Sequence, residues 1–324
     1  MLKVVDFRMT QKETKALKGL LALLVVLCHL RSYIAAVAQN EILGPLFIAF
    51  GYVSVAFFFF LSGYGLHRQY LTKPNYMAHF LRNRVVTTYV KYAVVALGYV
   101  ALFFVAGLIN PTLWVKTFLW GGTVVVNGWY FQATLLVYIL FFLAYGNRSS
   151  DRTKIVFLCV GMVVYGAVCK LFQLESHWYQ TVLCFLLGAI WSIWQQKGIF
   201  RFFRNPFVIA GELLCGIILV ILKSSVPLHE VTQIFVTTVL SMLFILPVIC
   251  AGCIKYITNS VFLFFGEISF EIYGIHGAVL TLLRSKLLWI SNDALLTVLL
   301  FVITIPCAWV LHKIFALIDK KIKV

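Results

Sequence analysis

The sequence predicts an all-α, polytopic integral membrane protein with about ten transmembrane helices and both termini in the cytoplasm. Three observations carry that expectation. Hydrophobic residues make up 62% of the 324 positions and charged residues only 12%, whereas soluble domains average about 25% charged. A fold of this size in water needs a charged skin, and the chain has too few charges to make one. The apolar residues are also gathered into runs of spanning length, such as those containing LLALLVVL and VAFFFFL, which are apolar on every face. Finally, the basic residues alternate in density from one connection to the next, as membrane topology requires.

The amino-terminal stretch 1–16 is polar and mixed in charge and reads as a cytoplasmic segment, not as a cleavable signal. Ten apolar runs follow, at 17–38, 45–67, 84–109, 128–146, 153–171, 178–195, 205–223, 231–252, 260–283 and 294–316. Each approaches the roughly 20 apolar residues that a crossing needs. Membrane-barrel strands would alternate apolar and polar residues, which these runs do not. With the amino terminus inside, the cytoplasmic segments hold 20 of the 27 Lys and Arg, the outer segments six, and Lys91 falls within the third run. The connections are short, so the sequence reads as a single membrane domain over 1–324 with no extracellular domain.

A net charge of +16 can signal a nucleic-acid partner. Here it is explained by positive-inside loops, and no RNA-binding motif or basic-aromatic platform accompanies it. The eight cysteines all lie in apolar segments. Cys250 and Cys253 form a C-x-x-C without a second ligand pair or a β-α-β setting, so they read as packing residues and no metal site is expected.

Ionisable groups within spanning helices are costly in hydrocarbon and mark candidate sites. They are His29, Arg31, Lys91, Glu212, Glu267, Glu271 and His276. His29 lies about 16 Å along its helix from Lys18, near mid-membrane. It is either a histidine hydrogen-bonded between helices or a general base, since imidazole titrates near neutral pH. Glu267 and Glu271 share a helix face at i, i+4, with His276 rotated off it. Glu271 lies at about the same depth as His29 and is a candidate to orient it; the bland alternative is that both carboxylates pair with basic residues. Lys18, Arg68, Arg82, Arg84 and Lys91 form a basic group that climbs from the cytoplasm into the membrane. It reads either as positive-inside and lipid-phosphate signalling or as the approach of an anionic ligand. Arg31 either snorkels to the outer headgroups or holds an acceptor, and Trp129 with Tyr130 fits an aromatic belt. Ser62 and Gly63 permit a close helix approach. No G-x-S-x-G elbow or zincin motif is present.

Several segments together resemble the membrane acyltransferase-3 family, whose members acylate cell-surface glycans. Lys18 is followed by ten residues and then His29, as in the first helix of that family. FFFFLSGYGL is similar to its FFxLSGF segment, and FLRNRVVTTYVKY to its FLRRRxxRLxP. WYFQATLLVYILF is similar to WFLxxLLxxYLL, and ISFEIYGIHGAV to ISYSIYLIHxPV. The resemblance runs in order from about 15 to 285. Thr87 stands where the family often has a second arginine, the proline after it is missing, and Lys18 replaces the commoner arginine.

The resemblance implies transfer of an acyl group, usually acetyl from acetyl-CoA, to a hydroxyl of a surface polysaccharide or lipid-linked sugar, in a bacterial cell membrane. On that reading His29 is the base, with Glu271 or Glu267 to orient it. Lys18, Arg68, Arg82, Arg84 and Lys91 receive polyanionic coenzyme A, and Arg31, His276 and Trp129 face the acceptor. Acetyl-CoA is a substrate, and no permanently bound cofactor is implied. The remaining partners are the acceptor glycan and membrane lipids. Without the resemblance, a transporter or flippase for lipid-linked sugars explains many helices and buried charges equally well.

Overall fold

The computed structural model describes residues 8–108, 111–118, 123–146, 149–195, 203, 205–225, 229–252 and 254–322. Every long element among them is helical: α1 (Gln11–Arg31), α2 (Ala35–Ala38), α3 (Leu43–Thr72), α4 (Thr87–Val105), α5 (Pro111–Phe118), α6 (Trp129–Tyr145), α7 (Asp151–Leu171), α8 (Leu183–Trp194), α9 (Pro206–Ser225), α10 (Glu230–Cys250), α11 (Ile254–Ile257), α12 (Ser260–Glu267), α13 (Ser269–Leu283) and α14 (Asp293–Ile322). A π-helical turn, Leu81–Val86, leads into α4.

Local chemistry sets several starts. Thr10 and Glu13 form a capping box at α1: the Thr10 amide donates to Glu13 Oε2 at 2.7 Å, and the Glu13 amide donates to Thr10 Oγ1 at 3.2 Å. Ser150 accepts from the Thr153 amide at α7. Asn40, Asn205, Asn259 and Asn292 accept from amides opening α3, α9, α12 and α14. In each case a polar side chain satisfies amides that the first helical turn leaves without a partner.

All ten apolar runs emerge as helices, in order, but the expectation of about ten full-length spans is corrected. Among the described residues six helical stretches are long and apolar enough to cross a membrane: Leu43–Thr72, Leu81–Val105, Asp151–Leu171, Pro206–Lys223, Val231–Cys250 and Asp293–Ile322. The pair α12 and α13, interrupted at Ile268, makes a seventh if it counts as one span. The other three fall short for identifiable reasons. Helix α6 has 17 residues, about 25 Å, and α8 has 12 residues, about 18 Å, against a hydrocarbon core of about 30 Å. Helix α1 is long enough, but Lys15, Lys18 and Arg31 confine its apolar stretch to the middle.

The chain divides into two compact units, the first comprising 1–28, 36–74 and 175–267 and the second 29–35, 75–174 and 268–324. The carboxyl end of α1 thus belongs to the second unit and the rest of α1 to the first.

The first unit is built on α3 packed along α8, with α9 and α10 beside them. Its helices meet at paired glycines. A Cβ on Gly63 would collide with the Phe185 carbonyl, and one on Gly188 with the Phe60 carbonyl. Gly19 and Gly266 make a second such crossing, between α1 and α12: a Cβ on Gly19 would strike the Phe262 carbonyl, and one on Gly266 the Lys15 carbonyl. Without a hydrophobic force between helices in lipid, such close backbone approach is what holds them. A buried polar chain lies in the same unit: the Tyr64 hydroxyl donates to Gln195 Oε1 at 3.0 Å, and His67 Nδ1 meets Ser192 Oγ.

The second unit packs α13 on α14, with α4 against both and α6 against α4 and α7. Its core is aromatic. Phe131 is fully buried, with ring centroids 4.8 Å from Phe270, 5.4 Å from Tyr273 and 5.5 Å from Tyr92. Hydroxyl and amide groups fasten the connection before α6. Tyr92 bonds Thr123 at 2.6 Å, Gln132 donates to the Thr117 carbonyl at 3.1 Å, and Tyr273 donates to the Asn127 carbonyl at 2.9 Å. Asn127 adopts a left-handed backbone (φ 61), a conformation that asparagine tolerates better than most residues.

Candidate active site

Within the second unit, the last turn of α1 delivers His29 to α13, where its ring stacks on His276, with centroids 5.1 Å apart and planes at 25°. The His276 side chain is set by its own helix. It is fully buried, and Nδ1 lies 3.1 Å from the Ile272 carbonyl, which can only accept. Nδ1 therefore carries the hydrogen, and in the neutral ring Nε2 is a lone pair. That Nε2 is buried and makes no hydrogen bond to the described residues. Tyr273 also meets His276, its ring 5.7 Å away and edge-on. Tyr130, at the start of α6 beside Trp129, comes within 5.0 Å of Tyr273. The first and ninth apolar runs are thus in contact, and His276, which helical spacing set apart from the glutamates, is the residue that meets His29.

Glu271, one turn earlier on α13, is engaged elsewhere. It is 3% exposed, and its Oε1 lies 3.0 Å from His312 Nδ1 on α14. Its Oε2 is buried without a hydrogen-bond partner among the described residues. His312 lies inside the last apolar run and is missing from the sequence-derived candidates. The rule that singled out His29, an ionisable group within a run, selects it equally. Glu267 belongs to the first unit and pairs with Lys15 at 3.1 Å, with both side chains substantially exposed. The i, i+4 spacing suggested one face for both glutamates, but the helix is interrupted at Ile268, whose backbone (φ −101, ψ 14) departs from helical values.

The basic residues divide between the units. Lys18 on α1 and Arg68 near the end of α3 are half-buried in the first. Arg82, Arg84 and Lys91 lie in the second. Lys91 has a counter-ion: its ammonium is 2.9 Å from Asp319 on α14 and 5.4 Å from the Phe315 ring centroid. Arg82 donates to the Ile322 carbonyl at 2.6 Å, and Arg84 to the Tyr76 hydroxyl at 3.2 Å. Burial pushes the Tyr76 phenol up, and the Arg84 guanidinium opposes that shift. Asp319 could not be matched to Lys91 by spacing, since 228 positions separate them. Thr87, the first residue of α4, donates to the Arg82 carbonyl at 2.9 Å. At the connection between α13 and α14 Arg284 ties Asp293, the Tyr33 carbonyl at 2.8 Å and the Ser291 carbonyl at 3.2 Å. Arg31, the last residue of α1, is half-buried two residues past His29.

Among the described residues no three His, Cys, Asp or Glu side chains gather as a metal site. Cys253 of the C-x-x-C lies outside the described residues, and Cys250 is a buried free thiol.

Two stacked imidazoles, one presenting a bare ring nitrogen, beside a helix that also carries a carboxylate–imidazole pair, supply the groups of a proton-moving transferase embedded in a membrane. The class has a family: residues 13–313 match the model Acyl_transf_3, described as an acyltransferase domain. The chain belongs to this family and is a multi-pass membrane acyltransferase. No curated protein and no solved structure matches it.

Proposed function

We propose that this acyltransferase moves an acetyl group from cytoplasmic acetyl-CoA to a hydroxyl of a surface polysaccharide or lipid-linked sugar, with His29 as general base. The observation that carries the reading is the His29–His276 stack in a chain of the acyltransferase family. His29 takes the acceptor hydroxyl proton as the oxygen attacks the thioester carbonyl. The carbon–sulfur bond then breaks, and coenzyme A leaves as the thiol with the proton that His29 held. His276 limits the orientations of His29 by stacking and offers Nε2 to a hydroxyl of the acceptor. Glu271 and His312 are positioning residues for α13. Glu267, exposed and paired with Lys15, is the weaker of the two glutamate candidates.

Arg82 and Arg84, at the foot of α4 in the second unit, are the proposed contacts for the coenzyme A phosphates. Lys91 supports them by holding α14 through Asp319. Arg31 and Trp129 are proposed on the acceptor side. The two units act as one acyltransferase domain. In this reading both termini are cytoplasmic, supported by the bias of basic residues.

The test is acceptor-dependent release of coenzyme A thiol in membranes containing the protein, with acetyl-CoA and succinyl-CoA compared. Release with acetyl-CoA alone supports the donor assignment. Movement of lipid-linked sugar across the bilayer with no thiol release would replace it with a flippase.

A further inference from the structure

The geometry of Lys223 points to a binding site for a membrane-embedded phosphate group in the first unit, formed by α3, α9 and α10. Lys223 lies in the last turn of α9, two residues before the helix ends at Ser225. A lysine in that place ordinarily snorkels past the helix end to reach water. This one reaches across to the neighbouring helices. Its ammonium donates to Thr237 Oγ1 at 2.6 Å and lies 4.1 Å from the centroid of the Tyr52 ring. Thr237 is fully buried and sits about 10 Å into α10, and Tyr52 about 13 Å into α3. Helix α10 follows α9 and starts at the end where α9 finishes, so the ammonium lies about two turns past the start of α10, beside the fully buried Thr237.

A cation at that depth needs a counter-charge. Lys15, Lys91, Lys154 and Arg284 each have a carboxylate. Lys223 has a hydroxyl and an aromatic face, and no carboxylate among the side chains that the structure describes. The carbonyls at the carboxyl end of α9 favour a cation there but do not replace an ion partner. The Tyr52 ring stabilises the charge without neutralising it and leaves ammonium hydrogens free. A phosphate oxygen presented by an amphiphile between the helices completes the pair. Two amphiphiles carry that chemistry: a bilayer phospholipid and a polyprenyl-phosphate carrier.

Native mass spectrometry of the purified full-length protein measures retention of each, with phosphatidylglycerol and a short-chain polyprenyl monophosphate as separate probes. No acyl donor is present, so the outcome does not depend on the acyl-transfer reading. At least one probe is expected to bind, with affinity reduced at least about tenfold in Lys223→Met and largely kept in Lys223→Arg. Tighter binding of the polyprenyl phosphate marks a carrier site, and tighter binding of phosphatidylglycerol a bilayer-lipid site. Reductive methylation of the wild-type protein gives a second readout that needs no variant: a bound probe should protect Lys223 from labelling. Equal retention by wild type and Lys223→Met overturns the proposal, as does labelling of Lys223 that neither probe changes.

Discussion

Gly266→Ala tests how the first helix is held to α12. A Cβ at that position would strike the Lys15 carbonyl oxygen and lie 2.6 Å from its carbon, where ordinary contacts begin at 3.4 Å. The two backbones must part by more than 1 Å, because the obstacle is main chain and has no rotamer to change. Overpacking of this kind costs about 1–3 kcal/mol. The shift also disturbs the neighbouring Lys15–Glu267 pair, which is too exposed to add much. Gly166→Ala is the matched control. It lies inside α7, and a Cβ there meets nothing within 4 Å. Alanine at that site removes backbone freedom without a clash and should be neutral or stabilising by up to about 1 kcal/mol. Unfolding of the detergent-solubilised protein by SDS titration reads both. Opposite signs support the crossing. A Gly266→Ala protein as stable as wild type, or two variants shifted alike, would show that the backbones do not meet as described.

Other variants separate the buried charges by role. Glu271→Gln, which weakens the bond to His312, should lower the acyl-transfer rate at least about tenfold, while Glu267→Gln should stay near wild type. Equal losses would return both glutamates to one role. Asp319→Asn strands the Lys91 ammonium and should destabilise the protein by about 1–3 kcal/mol, and adding Lys91→Met should recover part of the loss. Additive losses in the double-mutant cycle would remove the coupling. Arg84→Ala should raise the apparent KM for acetyl-CoA about tenfold with little change for the acceptor. An unchanged donor KM would place the phosphates elsewhere.

Much of the architecture is readable from residue order because lipid imposes a simple rule: a crossing must be apolar on every face. Each of the ten apolar runs becomes a helix. Their lengths were harder to read. Trp129–Tyr145 matches its run of 128–146 and is short in the sequence itself, the run at 178–195 spends its first residues in a turn before Leu183–Trp194 begins, and hydropathy does not register the interruption at Ile268. The site was readable where chemistry is local. His29 and His276 stand out as imidazoles within apolar runs, and Ser62–Gly63 stands out as a small pair. The partners were not readable. Gly188 opposite Gly63, Asp319 opposite Lys91 and His312 opposite Glu271 are fixed by helix packing, which has no signature in sequence spacing. His312 was detectable but lies near the end of a long run, where the neighbouring Lys313 makes it look like a boundary residue.

The central claim is that His29 activates an acceptor hydroxyl for acyl transfer. Its most direct test is radiolabel transfer from acetyl-CoA in membranes containing wild-type protein, the His29→Ala variant, or neither, with insertion confirmed by immunoblot. The account predicts label in glycan or lipid-linked sugar with the wild-type protein and loss of that label in the variant. Full labelling by His29→Ala would contradict it.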